Sequence, residues 1–197
     1  MISNSSNIWT VRGRVAELIE DADTELPMGI RDLLNELVGE IRQLTSRIES
    51  VERQLAAMAG ETPVVERLRS IPGIGLLTAT ALIAFVGNVE RFPSSRHFAC
   101  YLGLTPREHS SGLRRQLGRI SKRGDAYLRM LLTHGARSVL WAAKSKSKAD
   151  KFSTWAVDIH RRRGQNKASI AVANKMARIV WAVWKHGNRY GVRSDAR

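Results

Sequence analysis

The chain has 197 residues, long enough for one or two small domains with a real core, and a formal net charge of +14 at pH 7. The charge is divided: residues 1–60 carry ten acidic and six basic side chains, residues 61–197 eight acidic and 26 basic, so a mildly acidic arm precedes a basic body suited to nucleic acid. Cys100 is the single cysteine, which excludes an intramolecular disulfide and a cysteine-based zinc site.

In chain order, MISNSSNIWTVRG lacks the apolar core of a secretion signal, so a soluble, cytoplasmic protein is expected. Val15, Leu18, Ile19 and Ala22 share one face and predict a helix over 14–25, with Pro27 and Gly29 forming the turn that follows. Leu34, Leu37, Ile41, Leu44, Ile48, Val51, Leu55 and Met58 alternate in steps of three and four, an unbroken a/d seam. Residues 1–60 therefore read as a helical arm. A hairpin and a dimerising coiled coil would bury the same stripe, and a homo-oligomer through 34–58 is one of the two expectations.

Gly60 should cap that helix, and Thr62-Pro63 should open one over 63–71. Leu76–Val86 is apolar but too short to span a bilayer. The basic residues form no single amphipathic stretch, so no membrane partner is expected. Phe92-Pro93-Ser94 should start a short helix to Tyr101, with Cys100 as a packed thiol. Residues 103–123 show no helical period and are rich in Gly, Ser and Arg, as a functional loop or irregular hairpin would be. Helices are expected again at 125–143, 149–162 and 167–186, with Trp141, Trp155, Trp181 and Trp184 in the core and the chain frayed from Gly187. The fold class is all-α: an arm (1–60), a compact helical domain (61–190) and a tail (191–197).

Two segments carry chemistry. In LTPREHSSGLRRQLGRISKRGDAYLR, Ser110 and Ser111 precede Gly112 among Arg107, Arg114, Arg115, Arg119, Lys122, Arg123 and Arg129. A hydroxyl among guanidinium groups suits phosphodiester chemistry, the hydroxyl as nucleophile and the arginines as phosphate holders. A basic loop that only touches a nucleic-acid backbone has the same composition. In LRSIPGIGLLTATAL, the Pro72-Gly73-Ile74-Gly75 turn allows close backbone approach to a phosphate at the start of a helix, as in a helix-hairpin-helix DNA-binding motif. A plain corner within the core would look similar. Asp125 is a candidate N-cap after Ser121-Lys122-Arg123-Gly124, and Arg129 could pair with it across one turn. His109 is a candidate base beside the serines. The histidines lack short ligand spacing, the body's acidic residues Glu90, Glu108, Asp125, Asp150 and Asp158 are scattered, and no phosphate-loop motif is present. Neither a resident metal nor nucleotide hydrolysis is expected.

The order LRSIPGIGLLTATALIAFVGNVERF, FACYLGLTPREHSSG, GRISKRGDAYLRMLLTHGAR resembles the C-terminal transposase domain of the insertion-sequence 110/116 family, whose members are serine-type, RNA-guided DNA transposases. The resemblance spans roughly residues 65–187, with 14–58 similar to the family's coiled coil. It implies DNA strand exchange through a serine joined covalently to DNA, with Ser111 as nucleophile and Ser110 as runner-up. It further implies a structured guide RNA as partner, and contacts of Arg107, Arg114, Arg119, Lys122, Arg123 and Arg129 with the scissile phosphate or nearby backbone; Gly73, Ile74 and Gly75 of the turn, with Arg115, complete the expected DNA contacts. Leu113 stands where the family often has a second glycine. The family also has an N-terminal RuvC-like domain with an acidic quartet for divalent metal, which this sequence does not contain, so a truncated copy is expected. A catalytically silent nucleic-acid-binding module that regulates full-length transposase is the alternative.

Overall fold

The computed structural model describes residues 13–15, 17–19, 26–109, 111, 116–145 and 150–191. The chain divides into two compact units, Met1–Ala57 and Met58–Arg197.

In the first unit, residues 13–15 and 17–19 are helical and α1 (Met28–Gly60) begins, its last three residues belonging to the second. Gly29, expected in the preceding turn, lies within the first turn of α1. The helix starts directly after Pro27, whose carbonyl accepts the Ile30 amide at 2.9 Å. Arg31 ties the two helical segments together, donating from Nη1 to the Ile19 carbonyl at 2.5 Å and from Nε to the Leu26 carbonyl at 3.3 Å. On α1 the apolar seam is split. Val38 is buried, with Leu34, Ile41 and Thr45 half-buried on its face, while Leu37, Leu44, Ile48 and Val51 beside them are 46–61% exposed.

Among the described residues, the regular structure of the second unit is helical apart from one two-stranded sheet. Its elements are α2 (Pro63–Arg69), α3 (Leu76–Val86), a 3₁₀ turn (Val89–Arg91), α4 (Ser95–Tyr101), β1 (Pro106–Glu108), β2 (Leu117–Ile120), α5 (Ala126–Ser145), α6 (Lys151–Arg163) and α7 (Gln165–His186). Helix α7 is the axis. Ala168, Val172, Ala173, Met176, Ala177 and Val180, at helical spacing, are wholly buried, and α2, α4, α5 and α6 all pack on it. The answering apolar residues are Leu68, Phe98, Leu128, Leu132, Leu140 and Ala156.

Helix ends follow local chemistry. α2 stops at Arg69, short of the expected Ile71, because Ile71 precedes Pro72 and is steered out of helical geometry. Ser94 caps α4, accepting from the His97 amide, and Asp150 caps α6, accepting from the Ser153 amide at 2.9 Å. Gly187 closes α7 at φ 70°, yet the chain beyond is not frayed at once. The Tyr190 amide donates to Ser70 Oγ at 2.8 Å, and its hydroxyl donates to Asp150 Oδ2 at 3.3 Å. Residues 192–197, expected to fray, lie outside the described residues. Cys100 is exposed rather than packed, since Phe98, Ala99 and Leu102 fill the inward face of α4.

Candidate nucleic-acid interface

The basic serine segment is an irregular antiparallel hairpin. Pro106 pairs with Ile120 and Glu108 with Leu117, with a register shift between them. The His109 amide donates to the Gln116 carbonyl at 2.9 Å. The strands are exposed almost throughout, but their base is anchored in the core. Ser121 donates its amide to the Thr105 carbonyl at 2.9 Å, and Lys122 donates to the Gly103 carbonyl at 3.1 Å. Buried Leu102 and Leu104 flank that contact, and Asn174 of α7 donates from Nδ2 to the Leu104 carbonyl at 3.1 Å.

Two glycines make the anchor possible. Gly103 sits at φ 69°, and a Cβ there would lie 2.8 Å from the Gly124 nitrogen and 2.9 Å from the Arg123 nitrogen. A Cβ on Gly124 would run into the Tyr101 carbonyl oxygen. The two backbones therefore cross in direct contact, a geometry closed to any side chain. Lys122 takes up the rest of the turn at φ 55°, a left-handed conformation uncommon outside glycine. Asp125 then caps α5 as expected, its Oδ1 accepting the Leu128 amide at 2.8 Å. Arg129 directs its guanidinium onto backbone, with Nη1 donating to the carbonyls of Gly124 at 3.0 Å, Leu102 at 3.3 Å and Asp125 at 3.4 Å. It pins the hairpin base to α5.

Ser111 is exposed on the hairpin, with Arg107, His109, Arg119, Lys122 and Arg123 also exposed along it. Arg107 donates from Nη2 to the Ser121 carbonyl at 3.3 Å, which holds its guanidinium near the hairpin base. Ser110, Gly112, Arg114 and Arg115 lie outside the described residues.

The Pro72–Gly75 turn joins α2 to α3, and Ile71 and Ile74 are buried. Gly73, at φ 84°, faces the core. A Cβ on it would lie 2.6 Å from the Gly135 carbonyl oxygen of α5 and 2.8 Å from the ends of Val139 and Met176. Its missing side chain is thus explained by helix packing. Gly75 is different: it precedes α3 in extended backbone and has nothing within 4 Å of its Cβ direction.

The sequence reading missed a groove of about 290 Å³ beside the hairpin base. Lys122, Arg129, His134 and Arg137 line it, with Ile120, Met130 and Ile170 as apolar walls. Trp141, expected in the core, is 68% exposed on the same helix; only Trp155, Trp181 and Trp184 pack against the core. Spacing held the signal. Tyr127, Met130, His134, Arg137 and Trp141 are three or four residues apart and share one face of α5, with no leucine among them.

Among the described residues no three His, Cys, Asp or Glu side chains gather as a metal site would require. Glu90 is bonded to Lys185 at 2.8 Å and Asp158 to Arg162 at 2.6 Å, while Asp125 and Asp150 cap helices. These carboxylates do not fit a two-metal centre. Nor is any helix among the described residues long and apolar enough to cross a membrane.

Residues 65–152, which include the turn, the hairpin and all of α5, match the sequence profile of the "Transposase IS116/IS110/IS902 family". Over these residues the chain is similar to transposases of this family. It is 42% identical over 184 residues to a protein of Pseudomonas aeruginosa named "Probable family 20 transposase", covering 89% of this chain and 53% of that protein. It is also 42% identical over 161 residues to the transposase for insertion sequence element IS1111A of Coxiella burnetii, covering 82% of this chain and 44% of that one. A pilin gene-inverting protein of Moraxella bovis is 35% identical over 77 residues, covering 37% of this chain and 24% of its own. The chain spans about half the length of the first two relatives.

Proposed function

We infer that this chain carries a transposase domain of that family, which binds DNA and takes part in its transposition by serine-mediated strand transfer, with Ser111 as the nucleophile. The observation that carries the reading is an exposed serine on a basic hairpin whose base is locked to the core at Gly103, Gly124 and Arg129. A hydroxyl held on such a support can meet a phosphodiester with Arg107, Arg119, Lys122 and Arg123 around it. In the step, the serine oxygen bonds to phosphorus while one phosphorus–oxygen bond of the strand breaks. The released sugar oxygen takes a proton, and the serine proton leaves to a base, for which His109 is the nearby candidate in sequence. The cations stabilise charge on the non-bridging oxygens as it grows. The serine–phosphate link then allows a second strand's hydroxyl to displace it.

The open half of the α1 seam supports assembly through 34–58 with a second copy. A structured guide RNA would be a further polyanion for the basic unit, and divalent metal belongs to the RuvC-like domain implied by the resemblance. The alternative is a silent DNA-binding module that joins full-length transposase through the same seam.

Incubation with nicked element-end DNA, with and without guide RNA, decides between them. A covalent protein–DNA adduct that is lost in Ser111→Ala and kept in Ser110→Ala supports the nucleophile. Binding without any adduct supports the silent module.

A further inference from the structure

We propose that the outer face of α5 holds an unpaired DNA strand, its phosphates in the groove beside the hairpin and its bases stacked on Trp141 and on the Phe85–Tyr127 pair. This rests on the reading of the chain as DNA-binding and names the form of DNA this face takes.

Three observations converge. The groove is lined by Lys122, Arg129, His134 and Arg137 and by no carboxylate, so its charge matches a phosphate backbone. Exposed aromatic groups stand at both ends of the same helical face. Trp141 is 68% exposed one turn beyond Arg137; Tyr127 is 38% exposed and meets the 53%-exposed Phe85 with ring centroids 5.8 Å apart. The 14 positions from Tyr127 to Trp141 put about 21 Å between these platforms at 1.5 Å per residue, a span of a few nucleotides. Met130, His134 and Arg137 belong to both the groove and the aromatic stripe, so one strand can use both at once.

Exposed indole and phenol rings bury little by themselves but stack well on a base that has left its duplex. A duplex offers no open base face to them. The sugar is placed as deoxyribose because the walls between the cations are Ile120, Met130 and Ile170. The one hydroxyl in the lining, Thr133 Oγ1, donates to the Arg129 carbonyl at 2.7 Å. The proton of that hydroxyl is therefore not offered to a 2′-hydroxyl.

The test is fluorescence anisotropy with the full chain and three probes of one sequence, about 12 nucleotides long: single-stranded DNA, the blunt DNA duplex, and single-stranded RNA. Trp141→Ala should weaken single-strand DNA binding about tenfold and change duplex binding less than about twofold, with Trp141→Phe recovering most of the loss. Arg137→Gln should weaken both and lower the salt slope by about one. Because Trp141 and Arg137 are exposed, melting temperatures should stay at the wild-type value, which separates lost contacts from lost fold. Equal loss on single strand and duplex, no loss at all, or tighter binding of the RNA overturns the proposal while DNA binding itself stands. Unchanged DNA binding with a lower sedimentation mass in Trp141→Ala overturns it in favour of a contact between copies. If the wild-type chain binds none of the probes, the DNA-binding reading falls and this one with it.

Discussion

Single residues of the second unit are constrained by backbone contact more than by charge. Gly124→Ala would push a methyl group into the Tyr101 carbonyl, with backbone on both sides and no side chain to give way. A loss of at least about 3 kcal/mol is expected from denaturant melts. Gly75→Ala meets nothing and should stay within about 1 kcal/mol of wild type. If its stability holds while DNA affinity drops, the amides at the start of α3 lie against phosphate; if affinity is unchanged, the turn only shapes the core. Tyr190 and Asp150 form a second local device. Burial alone would raise the Asp150 carboxyl, but hydrogen bonds from Ser153 and Tyr190 outweigh it and hold the group below its usual value. Burial raises the Tyr190 phenol, and the Asp150 charge and hydrogen bond add to the rise. A depressed carboxylate stabilises the fold above about pH 3.9, its unfolded value, and that support is lost as pH falls through the folded-state value. A raised phenol stabilises below about pH 10 and loses its effect as pH climbs through its own folded value. Tyr190→Phe should therefore lower the melting temperature by about 2–4 °C at neutral pH. The deficit should narrow as pH is taken to 3, and a constant deficit would show that the carboxylate is not involved.

Among elements, the helices were legible where periodicity, cap and stop signal agree. Leu76–Val86 falls where the apolar run and its flanking glycines place it, and α6 and α7 lie within two residues of expectation because Gly164 and Gly187 bound α7. The 3₁₀ turn at Val89–Arg91 gave no periodic signal; the Asn88 side chain accepts the Glu90 amide and holds it. Trp141 was misread because hydrophobicity was taken as burial, although its helical face is shared with His134 and Arg137 and points away from Leu132, Ala136 and Leu140. The hairpin could be placed but not its anchor, since the contact between Gly103 and Gly124 joins segments 21 residues apart that no local pattern links. In α1 the seam was legible, but not its division into a buried and an open half, which depends on what packs on Val38. That division yields an outcome to measure. Leu44→Glu with Ile48→Glu changes only exposed positions, so the helix should persist by circular dichroism while sedimentation equilibrium shows assemblies falling to monomer. A wild-type chain that is already monomeric at micromolar concentration would leave the seam without a partner copy.

At the scale of the whole molecule, the separation of charge is the property that function must answer to. The described exposed cations of the hairpin (Arg107, Arg119, Lys122 and Arg123) and those of α5 and α6 are too numerous for the few nearby carboxylates, of which Asp158 is already bridged by Arg161 and Arg162. Such an excess of like charge opposes compactness, and a bound polyanion relieves it by releasing counterions from the nucleic acid. The acidic excess of residues 1–60 offers no comparable surface to DNA, so phosphate contacts should come from residues 61–197 alone. A site of six or more phosphate contacts would lose about a thousandfold in affinity between 50 and 200 mM salt, and Arg107→Gln and Arg119→Gln should each reduce the logarithmic slope by about one. Arg42→Gln and Arg47→Gln on α1 should leave it unchanged. A slope shared equally between the two sets would mean that the arm touches DNA as well, and a slope near zero would mean that the positive charge is not the source of binding at all.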